Sequence, residues 1–534
     1  MSKDITCGQA LVELLEAYGV DTVFGIPGVH TLALYRGLAA GSLRHVLVRN
    51  EQGAGFMADG YARATGRPGV CFLITGPGVT NAATPMGQAY SDSIPMLVIS
   101  SVNATRDLGK GWGRLHEITE QRAVTAPITA FSATAYCPED LPELIARAFT
   151  VFASERPRPV HIEIPLDVMD MMTPGGWRPR PIVPPPAPRP EAIDEATATL
   201  ANATSPVILL GGGAIDAGAA VTELAESLGA LVITTNAAKG VIPESHPLSL
   251  GACLSTAVGH RVVAEADVVL ALGTELAETD TWVSELTFNG QLIRVDIDAA
   301  KLNDLYPAAI GMVADAALTA EVLAAETDRA GPDLDMAAAT ARRDDLLAEI
   351  KGQRTLLEQK HDRVCAALRD VLPREAIMAT DMTQLAYSSY VGFSMDVPRA
   401  WFHPMGFGTL GYALPAAIGA KIARPEAPVV VFAGDAGFLF TVQELATAVE
   451  EKLPLVIILW NNDALGQIRD DMVALQISPI GVLPQNPDFQ MLCKAFGCHT
   501  VRATDLDDLT AQVAEALTRT DVPTVIELHQ NDVD

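Results

Sequence analysis

The sequence predicts an α/β protein of three doubly wound domains, each built on a parallel sheet. Short apolar, β-branched runs recur between stretches of helical spacing, the pattern of strands buried on both faces by helices. The chain has 534 residues, room for about three domains at roughly 100–200 residues each. A Pro-rich stretch and a charged, Ala-rich stretch divide it into three such alternating regions.

Taken in order, residues 1–172 contain GQALVELLEAYGV with apolar residues at helical spacing, then the strand candidates TVFGI, VCFLIT and PMLVIS. TPGGWRPRPIVPPPAPRP, residues 173–190, is a connector, because proline fixes φ and removes backbone donors. Residues 191–325 offer the strands PVILLGGG, ALVITT, DVVLALG and QLIRVDID between Ala-rich helices. Residues 326–355, from ETDRAGPDLD into MAAATARRDDLLAEIKGQ, form a linker that becomes helical. Residues 356–534 contain AIMATD, PVVVFAG, LVIILWNN and PTVIELH, with the rhythm of the first region but no sequence repeat of it.

Hydrophobic residues make up 49% and charged residues 19%, enough to build large cores. A formal net charge of −28 argues against nucleic acid or an anionic membrane as partner, since both need clustered Lys and Arg, and favours a small-molecule ligand. The seven cysteines are scattered without CxxC spacing, which excludes the common zinc patterns and fits buried thiols in a reducing compartment. The first residues lack a basic segment leading into an apolar one, and no long apolar run occurs elsewhere, so a soluble, cytoplasmic protein is expected.

The most informative stretch is VVVFAGDAGFLFTVQELATAVEEKLPLVIILWNND, residues 429–463. A strand ends in Gly-Asp-Ala-Gly, a helix opens with the capping-box pattern Thr441-Val-Gln-Glu444, and a second strand ends in Asn-Asn. Parallel strands bring their C-terminal ends to one edge, so Asp435 and Asn462 converge. A carboxylate, an amide oxygen and a nearby main-chain carbonyl are hard ligands suited to Mg²⁺ holding a diphosphate. The small residues Gly434, Ala436 and Gly437 let backbone N–H groups reach phosphate oxygens. In RNEQGAGFMADGYAR, residues 49–63, one acid, Glu51, stands among small and apolar neighbours. On spacing alone it reads as a helix-N-terminal acid.

The motif Gly-Asp-x, 24 residues and Asn-Asn resembles the thiamine diphosphate signature of the acetolactate synthase and 2-oxo acid decarboxylase superfamily. FGIPG, RNEQGAGFMADGYAR, TGPGVTNA and GFGTLGYALPAAIGA follow in the family's order over nearly the whole chain. The resemblance implies a pyrimidine-binding domain, a central Rossmann-like domain and a diphosphate-binding domain, in a homodimer or homotetramer with active sites between subunits. It implies Mg²⁺ on Asp435, Asn462 and the carbonyl of Ala464. Leu410 would lie beneath the cofactor, bending it, with the Gly408 carbonyl accepting from its aminopyrimidine and Gln384 at the diphosphate. Glu51 would be the glutamate that shares a proton with the pyrimidine and promotes its imino tautomer, a role served by a desolvated acid. Pro27 and Asn81 would face the cofactor.

The family contains decarboxylases, which protonate and release an aldehyde, and carboligases, which attack a second carbonyl. The tandem His-His of pyruvate decarboxylase-like enzymes is absent, and Thr75 stands where benzoylformate decarboxylases carry a histidine. His116 lies where synthases have an active-site Gln and is the expected catalytic proton donor. Asp471 replaces the synthases' substrate-selecting Trp, with Gln467 one turn earlier. A carboxylate facing the substrate favours a cationic group, such as the guanidinium of 5-guanidino-2-oxopentanoate. The expected function is therefore thiamine diphosphate- and Mg²⁺-dependent decarboxylation of a 2-oxo acid. Acetolactate synthase-like carboligation is the alternative, and a non-catalytic cofactor-binding sensor is disfavoured by the intact Glu51, Asp435 and Asn462. LLGGGAIDAG lacks the full GxGxxG of an NAD site. ALGTELAETD places Glu275, Leu276 and Glu278 where flavin-binding synthases have an Arg, so FAD is not expected.

Overall fold

The computed structural model describes residues 4–327 and 336–533. Three parallel sheets organise it. The first has six strands, β1 (Thr22–Gly25), β2 (Arg44–Leu47), β3 (Gly69–Leu73), β4 (Met96–Val102), β5 (Phe131–Thr134) and β6 (Val160–Pro165), in the order β2-β1-β3-β4-β6-β5. The central sheet contains β7 (Val207–Leu210), β8 (Leu231–Thr234), β9 (Val268–Leu272), β10 (Gln291–Asp296) and β11 (Ile310–Val313), ordered β8-β7-β9-β10-β11. The third has β12 (Ile377–Thr380), β13 (Trp401–Phe402), β14 (Val429–Gly434), β15 (Val456–Asn461), β16 (His499–Ala503) and β17 (Thr524–His529), ordered β13-β12-β14-β15-β17-β16. The first and third sheets thus share one strand order, although their sequences show no repeat.

The strands form where apolar runs can be covered on both faces. VVVFAG of β14 and VIILWN of β15 are buried throughout, in register with Gly434 opposite Trp460. Helices α1 (Glu51–Thr65), α2 (Pro77–Ser91), α3 (Gln384–Gly392) and α4 (Ala413–Ala423) cover the first and third sheets, and α5 (Asp435–Phe438), α6 (Leu445–Glu450) and α7 (Gly466–Ala474) follow the metal-motif strands. One hydrophobic cluster runs from Phe24 and Phe56 through Tyr412 to Phe432 and Trp460, joining the first and third domains. Its centre is the α1–α4 seam, where a Cβ on Gly60 would lie 2.0 Å from the Ala416 carbonyl oxygen and one on Gly419 would lie 1.9 Å from that of Met57.

Two expectations are modified. The Thr441–Glu444 capping box does not form: Thr441 Oγ1 donates to the Gly411 carbonyl at 2.7 Å, and Glu444 turns away to the first domain. Of the linker expected over 326–355, residues 328–335 lie outside the described residues, while Met336–Gly352 is an α-helix. Among the described residues no helix is long and apolar enough to cross a membrane.

Candidate active site

The chain carries two half-sites, each at the C-terminal edge of a parallel sheet. In the first, Asn50 caps α1 by accepting from the Gln52 N–H at 2.8 Å, which sets Glu51 as its opening residue. Glu51 is 8% exposed. The Asn81 side-chain amide donates to Glu51 Oε2 at 2.9 Å. Gly78, on the same helix as Asn81, leaves the room that a Cβ, 3.5 Å from Glu51 Oε1, would narrow. The small and apolar neighbours read from the sequence are those that bury α1, Gly53 to Ala62 without a break. Pro27 and Asn81 are themselves exposed.

Glu444, after α5, reaches this half-site. Its carboxylate accepts from the main-chain N–H groups of Arg49 (3.1 Å) and Asn50 (3.0 Å), and from Thr447 Oγ1 at 3.0 Å. It therefore fixes the two residues that precede Glu51. Burial pushes its carboxyl from the ordinary 4.5 up to about 7, against the pull of those donors. The folded chain keeps this proton between about pH 4.5 and 7 where the unfolded chain releases it, so the group's contribution to stability is lost as pH rises through that window. Glu444→Gln should gain stability relative to the native chain over the same interval. Denaturant unfolding across pH measures this, and a flat difference would contradict it.

A polar cluster lies at the same sheet edge, at the C-terminal ends of β3 and β4. Thr75 is buried, with its Oγ1 2.9 Å from Ser101 Oγ and 3.0 Å from His30 Nδ1. His116, in a turn at φ 59°, packs edge-to-face on His30 with ring centroids 5.2 Å apart. Burial and the neighbouring His116 hold the His30 imidazole below its ordinary pKa. Gln121 Oε1 accepts from the Gly76 N–H at 2.8 Å and its amide donates to Ser101 O and Glu163. His30 and Gln121 were missed from the sequence. His30 follows FGIPG by two residues, a position that could have flagged it.

In the second half-site β14 and β15 deliver the Gly-Asp-Ala and Asn-Asn segments. Asp435 is 2% exposed, and among the described residues no Lys, Arg or His lies within 4.0 Å of its carboxylate. Its neighbours include the Asn486 amide, donating to Oδ2 at 2.7 Å and to Asp463 Oδ1 at 3.2 Å, and the main-chain N–H groups of Ala436 and Ala464. Burial raises its pKa above the usual carboxylate range. Asn462 Nδ2 donates to Gln384 Oε1 at 3.4 Å, and Asn462 Oδ1 accepts from the Ala464 N–H at 3.2 Å. Gly466 closes this corner, since a Cβ there would meet both side chains at 2.5 Å. A buried carboxylate without a counter-charge, beside amide and main-chain oxygens, fits a divalent cation. Among the described residues no three His, Cys, Asp or Glu converge as a metal cluster, so any ligand set here is completed by amide and carbonyl oxygens.

Gly434 ends β14 and caps α5, whose single turn contains Ala436 and Gly437. At Gly437 a Cβ would lie 3.2 Å from Asp381 Oδ1, so a larger residue would press on that carboxylate. Asp381, also missed from the sequence, accepts from the N–H groups of Gly411 (3.0 Å) and Met382 (2.8 Å), and burial pushes it up to about 6. It pins the loop that carries Gly408, exposed at φ +67°, and Leu410, half-buried. Thr409 ties the same loop to Gln88 of α2 at 3.0 Å. Gln467 and Asp471 are exposed on α7, bonded to each other at 3.0 Å, while the adjacent Asp470 accepts from Gln384 at 2.9 Å. No hydrogen bond or ion pair among the described residues joins Glu51 or Asn81 to Gln384, Gly408, Leu410, Asp435 or Asn462.

These two half-sites, on domains of one strand order, belong to a known class. Residues 5–124 match the family described as thiamine pyrophosphate enzyme, N-terminal TPP binding domain, residues 193–323 its central domain, and residues 381–528 its C-terminal TPP binding domain. The chain belongs to the thiamine diphosphate enzyme family, and thiamine diphosphate is its cofactor. It is 55% identical over 533 residues to the probable 2-ketoarginine decarboxylase AruI of Pseudomonas aeruginosa, covering 98% of this chain and 94% of that one. The acetolactate synthase of Mycobacterium bovis is 33% identical over 554 residues (98% and 88%), and the acetolactate synthase isozyme 1 large subunit of Escherichia coli is 32% identical over 531 residues (97% and 92%).

Proposed function

We propose that the chain is a thiamine diphosphate- and Mg²⁺-dependent carboxy-lyase that converts a guanidinium-bearing 2-oxo acid, 5-guanidino-2-oxopentanoate, to CO₂ and an aldehyde. The observation that carries the reading is the 55% identity, across nearly both chains, to a protein named as a 2-ketoarginine decarboxylase. When bound, the cofactor supplies a nucleophilic carbon and an electron sink for loss of CO₂.

The chain's own residues do the rest. Glu51 holds the proton shared with the pyrimidine, Asn81 orients its carboxyl, and the buried turns of α1 exclude water. The Gly408 carbonyl and Leu410 would receive and support the cofactor rings, and Pro27 would face the cofactor. Asp435, Asn462 and the Ala464 carbonyl would hold Mg²⁺, while Gln384 and the small residues Gly434, Ala436 and Gly437 would face the diphosphate. Thr75 holds His30 through Nδ1, and His30 packs on His116, the expected proton donor for aldehyde release. Seven free cysteines suit a reducing, cytoplasmic setting. Exposed apolar side chains rim both half-sites, Val29, Leu32 and Leu115 around the first and Phe407, Phe440 and Ile468 around the second. Such rims favour association, and two copies exchanging half-sites would complete each site.

Asp471 on α7, with Gln467 bonded to it, would recognise the guanidinium. On a panel of 2-oxo acids the guanidino acid should be preferred, and Asp471→Asn should lower its kcat/KM by about tenfold, one charge-assisted bond, while sparing neutral acids. Preference for neutral or anionic acids, unchanged in the variant, rejects the substrate. The likeness to acetolactate synthases favours carboligation as the second reading. Product analysis separates them: an aldehyde supports the lyase, a 2-hydroxy-3-oxo acid the ligase.

A further inference from the structure

A cavity of about 800 Å³ lies beyond the C-terminal ends of β7 and β9, bounded by all three domains. That edge of a doubly wound sheet is where ligands bind, and the volume is that of a small-molecule site. Two of the three amides in the glycine-rich turn on its wall are already taken by main-chain carbonyls. Gly211 N–H donates to the Leu272 carbonyl at 2.9 Å and Gly213 N–H to the Gly273 carbonyl at 3.0 Å. Nine carboxylates and five cationic side chains line the space, a balance opposed to a dinucleotide.

Four of the five cations are already paired. Arg156 grips Glu275 through two bonds of 2.8 and 3.0 Å, Lys301 lies 3.2 Å from the same carboxylate, Arg63 joins Asp92 at 2.6 Å, and Arg399 joins Asp216 at 2.7 Å. Arg158 stacks on Tyr90 at 3.8 Å from the ring centroid, with no carboxylate within 4.0 Å among the described residues. Two acceptors remain open. Asp280 has no cation within 4.0 Å among the described residues, and burial beside Asp92 and Glu275 pushes its carboxyl up to about 7. Asn236 is 7% exposed, and its side-chain Oδ1 has no hydrogen-bond partner among the described residues.

We propose that this cavity binds a small zwitterion, with Asp280 and Asn236 Oδ1 taking a guanidinium or ammonium end and Arg158 taking a carboxylate end. The site is separate from the thiamine diphosphate half-sites, since none of these three residues belongs to them. A bound cation restores the charge balance that Asp280 lacks, and its N–H groups satisfy the Asn236 oxygen.

Calorimetric titration of the full chain with L-arginine and with agmatine, the same guanidinium without a carboxylate, tests this. Arginine is expected to bind once per chain at this site. Asp280→Asn should weaken both probes by about tenfold, and Arg158→Gln should weaken arginine alone. Asp471→Asn should change neither, which separates this cavity from the substrate site and keeps the outcome independent of the proposed reaction. Absence of heat with both probes, binding unaltered by Asp280→Asn, or stoichiometric adenosine diphosphate binding that Arg158→Gln abolishes would each overturn the assignment. If thermal unfolding shows that Asp280→Asn does not fold, Arg158→Gln decides: an equal effect on both probes, or none, rejects it.

Discussion

Glu51→Gln is expected to lower turnover by about 10²–10⁴-fold, the range for loss of a positioned acid–base group, while leaving the fold intact. The amide keeps the shape of the side chain, and its oxygen still accepts from Asn81, so the 2.9 Å contact survives. What it removes is the exchangeable proton. Thermal unfolding should shift by no more than about 2–4 °C, the effect of roughly 1 kcal/mol in a chain of several domains. Thiamine diphosphate affinity should also change little, because the metal motif lies in the other half-site. Near-normal kcat in this variant would end the assignment of Glu51 as the proton-sharing acid.

Asp435→Ala should act on the opposite half-site and leave a different signature. Removing the one carboxylate of the ligand set should weaken Mg²⁺-supported cofactor binding by at least about 100-fold, read by equilibrium dialysis of thiamine diphosphate with and without Mg²⁺. The variant also relieves a buried anion that lacks a counter-charge, so without metal it should be as stable as the native chain or more so. Mixed with Glu51→Gln chains, it offers a test of shared sites. If each site takes one half from each subunit, a random mixture of the two inactive variants recovers about a quarter of native activity, since half of the dimers are mixed and each has one intact site. A mixture that stays inactive places both halves of the site within one chain.

Much of this site was legible because its logic is local. The 24 residues between Gly-Asp-Ala and Asn-Asn hold a turn, short helices and one strand, and parallel pairing then carries Asp435 and Asn462 to neighbouring strand ends. Glu51 is singled out by the resemblance that RNEQGAGFMADGYAR carries, since its spacing alone reads as a helix-N-terminal acid. What stayed hidden depends on partners distant in sequence. Glu444 reads as the last residue of a capping box, but the Gly411 carbonyl takes the Thr441 hydroxyl, and the freed carboxylate fastens residues 49 and 50. Asp381 ends the strand candidate AIMATD with nothing to mark it, and its role appears only when the loop that carries Leu410 folds back onto it. His30 and His116 lie far apart in the chain, and only the converging loops of one sheet edge bring their rings into contact. Such residues position others, and no periodicity or spacing marks them.

The α1–α4 seam also limits how this chain can be recombined. With backbone against backbone at Gly60 and Gly419, even a methyl group has no place to go. The two helices must therefore be inherited as a matched pair, although about 350 residues separate them and a whole domain intervenes. A chimera that takes its first domain from one homologue and its third from another should assemble only if both parents keep small residues at these crossings. Libraries built by crossover within the central domain would be sieved by this seam before any catalytic difference could be selected.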